Sequence, residues 1–165
     1  PGGGAIIVSP ALEPPSAPSR PSDISAAAPA VARRNAVDLH AAARIEFRHG
    51  PLLAGYEGSL QLIVSNPPYI PTGQIPGLPP EGRTHDPMAA LDGGEDGLDA
   101  VRGILAEARG RLAPGGCILL EIGEDQEEGL LALFAGEAWL EEGRVEKDLA
   151  GRPRYGFARR RMRPA

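Results

Sequence analysis

Asn66, Pro67, Pro68 and Tyr69 follow directly on an apolar run, LIVS, at residues 62–65. Two prolines in succession remove two backbone donors, fix φ near −65° and force the residue before them into an extended conformation. The Asn66 carboxamide and the carbonyls of Asn66 and Pro67 are thereby presented as acceptors in set directions, with no neighbouring N–H to compete for them. An NH2 group carries two protons in one plane, so two such acceptors are able to hold one, and Tyr69 is placed to cover the planar group that bears it. The chemistry this arrangement serves is the positioning of an amide or amino nitrogen. A plainer reading stands beside it, in which Pro-Pro is only a stiff exit from a sheet.

Other chemically capable residues give weaker patterns. His40, His49 and His85 have no ligand spacing, and the single cysteine, Cys117, permits neither an internal disulfide nor a cysteine metal site, so no metal is expected. Cys117 reads as a small buried core residue. Glu121 and Glu124, near the end of an apolar run, have the spacing of an acid and a base, but structural carboxylates fit as well. Arg159, Arg160, Arg161 and Arg163 form a short basic tail of the kind that is ordinarily solvated.

The elements that must position Asn66 alternate. Residues 44–50 and 60–66 read as strands, the second apolar and β-branched as in a parallel sheet covered on both faces. Residues 67–94 form a long Pro- and Gly-rich connection, of a length associated with ligand binding or mobility. A helix follows, with Glu95, Asp96 and Asp99 at its start, Val101, Ile104, Leu105, Ala108 and Leu112 at spacings of three and four, and APGG as its stop. Residues 115–123 read as a buried strand, and 125–139 as a helix with Leu130, Leu133 and Phe134 on one face. The tail reads as an antiparallel hairpin turning at Ala150 and Gly151. Nearer the start, residues 25–39 suit a helix capped by Ser25 with Pro29 in its opening turns, while Pro10, Pro18 and Pro21 oppose the helix and strand that the pattern wants there. The fold class this predicts is α/β, a mostly parallel sheet with helices on both faces and an antiparallel hairpin at its C-terminal end.

The chain of 165 residues has the length of one domain, so residues 1–165 are expected to act as a single unit. With 17 basic and 22 acidic residues its formal net charge is −5, which argues against a broad nucleic-acid surface. No run has the length of a membrane span and no signal-peptide order opens the chain, so a cytoplasmic protein is expected.

Taken with Asn66-Pro67-Pro68-Tyr69 at the end of a strand, the blocks HDPMAALDGGEDGLDAVRGIL, LAPGGCILLEIG and KDLAGRPR resemble the HemK/PrmC family of protein-(glutamine-N5) methyltransferases, from about Gly2 to Arg161. The resemblance implies a Rossmann-like fold, S-adenosylmethionine as cofactor, and class I peptide chain release factors as partners, methylated on the glutamine of their Gly-Gly-Gln motif. It gives Asn66, Pro67 and Tyr69 the catalytic role, with Pro68 beside them in substrate binding. It gives Gly2, Gly4, Asp23 and Asn66 to the cofactor, the glycines through close backbone approach and Asp23 through the ribose hydroxyls.

Departures from the family pattern accompany the resemblance. The sequence opens inside the glycine loop, without the family's helical N-terminal domain and first strand, so an incomplete catalytic domain is expected. Pro51 stands where the family has an Asp that contacts adenine, and Pro153 where it has another Asp. Two further readings therefore remain open. One is a DNA or RNA amino-methyltransferase that reads a flipped base with the same four residues; the other is a truncated chain that keeps the fold without binding the cofactor.

Overall fold

Strand and helix alternate through the computed structural model, which describes residues 19–23, 28–40, 42–53, 55–56, 58–79 and 88–162. Residues 1–56 and 57–165 form two units, taken here in turn.

The first unit is built on a strand, a helix and a parallel strand. β1 (Ser22–Asp23) pairs with β2 (Arg48–His49), and Asp23 lies opposite His49. Between them runs α1 (Ala28–Asp38), with Pro29 as its second residue, where the missing N–H would have had no helical partner. His40 at φ 56° closes the turn after it. Ala36 and Ile45 are buried together, with Ala42 and Phe47 packed against them. The expected strand at 44–50 is shorter and irregular. Ile45 makes only an isolated bridge to Ser19, and regular pairing begins at Ser22 and Arg48. Pro21 explains the gap: its carbonyl accepts from Arg48 N at 2.9 Å, but it has no N–H to return to the ladder. Tyr56 is buried and donates its hydroxyl to the Arg20 carbonyl; that burial pushes its pKa up. The Ser25 cap, Pro10 and Pro18 lie outside the described residues.

The second unit is a four-stranded sheet in the order β3-β4-β6-β5. β3 (Leu60–Ser65) runs parallel to β4 (Leu112–Glu121), and β6 (Pro153–Arg160) lies antiparallel between β4 and β5 (Leu140–Lys147). In register, Ile63 faces Ile118 and Ile118 faces Ala158; these three are buried. Leu62 and Val64 alternate to the other face and are 57% and 41% exposed, so β3 is covered on one face rather than on both as its composition suggested. α2 (Asp99–Arg111) buries Val101, Ile104, Leu105 and Ala108, the expected stripe. α3 (Glu127–Gly136) buries Leu130 and Phe134, with Leu133 half-buried, and Leu130 fills the space over Gly156 where a side chain would otherwise stand.

Three further sequence expectations are corrected in this unit. α2 starts at Asp99, because Gly94 at φ +91° and Gly97 at φ +77° hold residues 93–98 in a loop. It ends at Arg111, and Leu112, expected as the last helical residue, is the first of β4; the pairing then slips between Leu60 and Leu62, accommodating residues 113–116. Cys117 is half-buried rather than a core residue. The hairpin turns as expected: the Asp148 carboxylate accepts from Ala150 N and Arg152 N, and Gly151 takes φ +81°. Pro153 opens β6, a strand position where a proline costs no interior ladder bond. No helix among the described residues is long and apolar enough to cross a membrane.

Candidate active site

β3 delivers Asn66 to the carboxyl end of a parallel strand, the end at which open α/β sheets hold ligands. Asn66 is exposed, Pro67 is buried, and Pro68 and Tyr69 are half-buried. Among the described residues no hydrogen bond engages the Asn66 side chain or the Pro67 carbonyl, so both acceptors remain available. The Tyr69 ring lies against Gly123 just beyond β4, where a Cβ would come within 3.6 Å of Tyr69 Cδ2.

The segment that follows Tyr69 is fastened along its length to residues 91–94. Ile70 N donates to Leu91 O at 3.1 Å, Gly93 N to Ile70 O at 2.9 Å, and Thr72 N to Gly94 O at 2.9 Å. Asp92 adds a second layer, accepting from Thr72 Oγ1 at 2.7 Å and from Gly94 N at 3.0 Å. The first of these bonds is the main cause holding its carboxyl below the usual range. A Cβ on Gly93 would lie 2.8 Å from the Pro68 carbonyl and 2.7 Å from that of Gly97. Gly93 and Gly97 of LDGGEDGLD therefore serve a close approach to the Asn66–Tyr69 turn, while Gly94 makes room for the Asp99 side chain.

Asp96 was expected in the first turn of a helix and instead caps the loop. Its carboxylate accepts from Leu98 N and from both terminal nitrogens of Arg102, which also reaches Asp99. The Arg102 hydrogen bond is the largest cause lowering the Asp96 pKa, to about 2. Its main-chain carbonyl points the other way, to the buried side chain of Gln126, whose Nε2 donates to it at 3.1 Å and to Tyr69 O at 2.9 Å. Gln126 Oε1 accepts from Gly123 N at 2.9 Å.

The sequence found the strand end but missed what braces it. Gln126, Gly93 and Gly97 gave no signal as site residues, since one glutamine in DQEEG reads as a polar helix start. Glu124, weighed as an acid or base, pairs with Arg152 at 3.5 Å, and Glu121 is the last residue of β4, opposite Tyr155 of β6. Asp23 lies in the first unit, half-buried at the carboxyl end of β1, and Pro51 follows the adjacent end of β2. Gly2 and Gly4 lie outside the described residues. Among the described residues no group of three or more His, Cys, Asp or Glu side chains is placed to hold a metal ion.

No protein-family model matches the chain. Curated relatives do match. A release factor glutamine methyltransferase of Bradyrhizobium diazoefficiens is 43% identical over 96% of this chain and 54% of its own length. Another, of Moorella thermoacetica, is 46% identical over 97% of this chain and 56% of its own. The chain belongs to the release factor glutamine methyltransferase family. It spans about half the length of the curated relatives it matches. Among solved structures, TrmN from Thermus thermophilus matches with a TM-score of 0.62 and 20% identity, over 96% of this chain and 42% of that one. A methyltransferase from Pyrococcus furiosus matches with a TM-score of 0.59 and 20% identity, over 86% and 61%. At those identities the likeness concerns fold alone, and it gives the chain the Rossmann-like methyltransferase fold that the family resemblance implied, within the α/β class that the alternation of strands and helices predicted.

Proposed function

We propose that residues 1–165 act as a methyltransferase catalytic domain that transfers a methyl group from S-adenosylmethionine to the side-chain amide nitrogen of the glutamine in the Gly-Gly-Gln motif of class I release factors, in the cytoplasm. The observation that carries the reading is the pair of unengaged acceptors, Asn66 Oδ1 and the Pro67 carbonyl, at the carboxyl end of β3 with Tyr69 beside them. The family relatives of that name support it.

On the cofactor side the residues present fit in part. A carboxylate at the carboxyl end of a parallel strand, as Asp23 is, has the chemistry to receive ribose hydroxyls. Pro51 on the neighbouring strand end offers a carbonyl and no side-chain partner for adenine. When bound, S-adenosylmethionine supplies an electrophilic methyl on a sulfonium.

An amide nitrogen is a poor nucleophile because its lone pair is delocalised into the carbonyl. Asn66 Oδ1 and Pro67 O each accept one N–H of the glutamine amide, which orients the nitrogen and favours its pyramidalisation. Tyr69 packs on the amide plane and limits its rotation. Positioning and electrostatics then suffice, and no side chain has to act as a strong base. As the N–CH3 bond forms and the S–CH3 bond breaks, the thioether leaves neutral and one of the amide's own two protons is released to water, which reaches the exposed Asn66.

Incubation with methyl-labelled S-adenosylmethionine and a release factor, read by mass spectrometry, is the test. The expected product carries one methyl on the Gly-Gly-Gln glutamine, and Asn66→Ala lowers the rate roughly 100-fold or more with the fold intact. Transfer to DNA or RNA instead, or to no substrate, would overturn the reading.

A further inference from the structure

Gln126 is the one buried polar or charged side chain among the described residues, 8% exposed, and the amino group and oxygen of its amide are both engaged. Three segments meet on it. Nε2 donates one proton to the Tyr69 carbonyl and the other to the Asp96 carbonyl, while Oε1 accepts from Gly123 N. The bonds reach 57 residues back in sequence to Tyr69 and 30 back to Asp96, so no local turn accounts for them.

We propose that Gln126 is a positioning residue for the methyl acceptor, setting the Tyr69 peptide and through it the direction of the Asn66 and Pro67 acceptors. The proposal rests on the methyltransferase reading for its functional consequence, but not for its structural part. The turn from Asn66 to Tyr69 has few soft dihedrals, because Pro67 and Pro68 fix their φ values. The remaining freedom lies in the ψ angles of the turn and at Tyr69, where Gln126 holds the carbonyl and Leu91 O receives the next amide, from Ile70, so the far end of the turn is pinned. The Tyr69 ring is flanked by Gly123, whose N–H is held by the same glutamine. Gly97 is required for the approach, since a Cβ there would overlap both Gln126 Nε2 and the Tyr69 carbonyl. Only an uncharged amide of this length gives two donors and one acceptor together. Glutamate keeps the acceptor and loses both donors, and methionine keeps the length and loses all three bonds.

The full chain carrying Gln126→Glu or Gln126→Met tests this by two readouts. Amide hydrogen exchange addresses the structural part, without a substrate. Ile70, Thr72 and Gly93 amides should exchange at least about tenfold faster in both variants, while amides of β4 and β6 keep their rates. Unchanged exchange at those three amides would overturn the proposal; so would equal acceleration of β4 and β6, which would make Gln126 a general support of the sheet. Methyl transfer addresses the consequence: kcat on a release factor should fall about 10- to 100-fold with KM for S-adenosylmethionine within about twofold, because a small misplacement of the acceptor slows the reaction without touching the cofactor. A rise in cofactor KM with kcat unchanged would overturn it. Absence of transfer by the wild-type chain would sink the methyltransferase reading alone, and the exchange result would still decide whether Gln126 sets the turn.

Discussion

Gly97 sits at φ +77°, backed by Gln126 Nε2 and the Tyr69 carbonyl, so it is constrained twice, by conformation and by space. A left-handed residue with a Cβ costs about 1–2 kcal/mol in backbone energy alone. The overlap with two hydrogen-bonded groups adds to that, since neither is the loose end of a flexible side chain. Gly97→Ala should therefore destabilise the chain by more than about 1–2 kcal/mol in a urea titration, and should loosen the turn from Asn66 to Tyr69 even where the fold survives. Gly73 is the control. It has no heavy atom within 4 Å of an added Cβ and does not take a positive φ, so Gly73→Ala should change stability little. Equal effects at the two positions would show that the close approach at Gly97 does not matter. The same contrast marks the limit of sequence reading at this scale. Asn66 to Tyr69 were legible because proline and asparagine change backbone chemistry wherever they stand. Gln126 and Gly97 were not, because their roles depend on distant segments, 30 and 57 residues away in the case of Gln126.

The loop of residues 91–98 carries the next prediction. Its sequence reads as a helix start, glycines then acids before an apolar stripe, and that reading failed because Asp96 spends its carboxylate on Leu98 N and Arg102 rather than on a helix N-terminus. β3, α3 and the hairpin were read correctly in outline because apolar period and turn residues are local signals. The loop was misread also because residues 91–94 bond to the backbone of Ile70 and Thr72, a separate segment that no local pattern reveals. Arg102 holds the Asp96 carboxyl at about 2, below its ordinary value of 3.8. A depressed folded-state pKa contributes stability above the unfolded value, and that contribution is lost as pH falls through the folded value. The window is therefore pH 4 down to pH 2. Asp96→Asn should lower the melting temperature at neutral pH, and the gap between variant and wild type should narrow across that window. Asp96 and Arg102 are each close to half-exposed, at 48% and 45%, so added salt should also shrink the gap. A gap independent of pH would assign the effect to lost packing, not to the ion pair.

Over the whole molecule, residues proposed for the cofactor and for the methyl acceptor fall in different units, Asp23 in the first and Asn66 in the second. Within the first unit, the register of β1 and β2 sets Asp23 opposite His49, two residues before Pro51. A carboxylate at position 51 would add an acceptor for an exocyclic amine at the end of the strand next to the proposed ribose ligand. Pro51 is exposed, and it lies outside β2, so replacing it removes no strand bond and no core contact. Pro51→Asp should accordingly leave the melt nearly unchanged. Its effect should appear in binding: one new hydrogen bond is worth about 0.5–1.5 kcal/mol, so S-adenosylmethionine affinity measured by calorimetric titration should rise about 2- to 12-fold. Asp23→Ala should weaken binding in both backgrounds, because loss of the ribose ligand does not depend on which residue faces the adenine. Tightening by Pro51→Asp that disappears when the adenine amino group is replaced by hydrogen would assign position 51 to the base. Tightening that persists with that analogue would mean that the added charge acts on the sulfonium cation from a distance, and it would then weaken steeply with ionic strength.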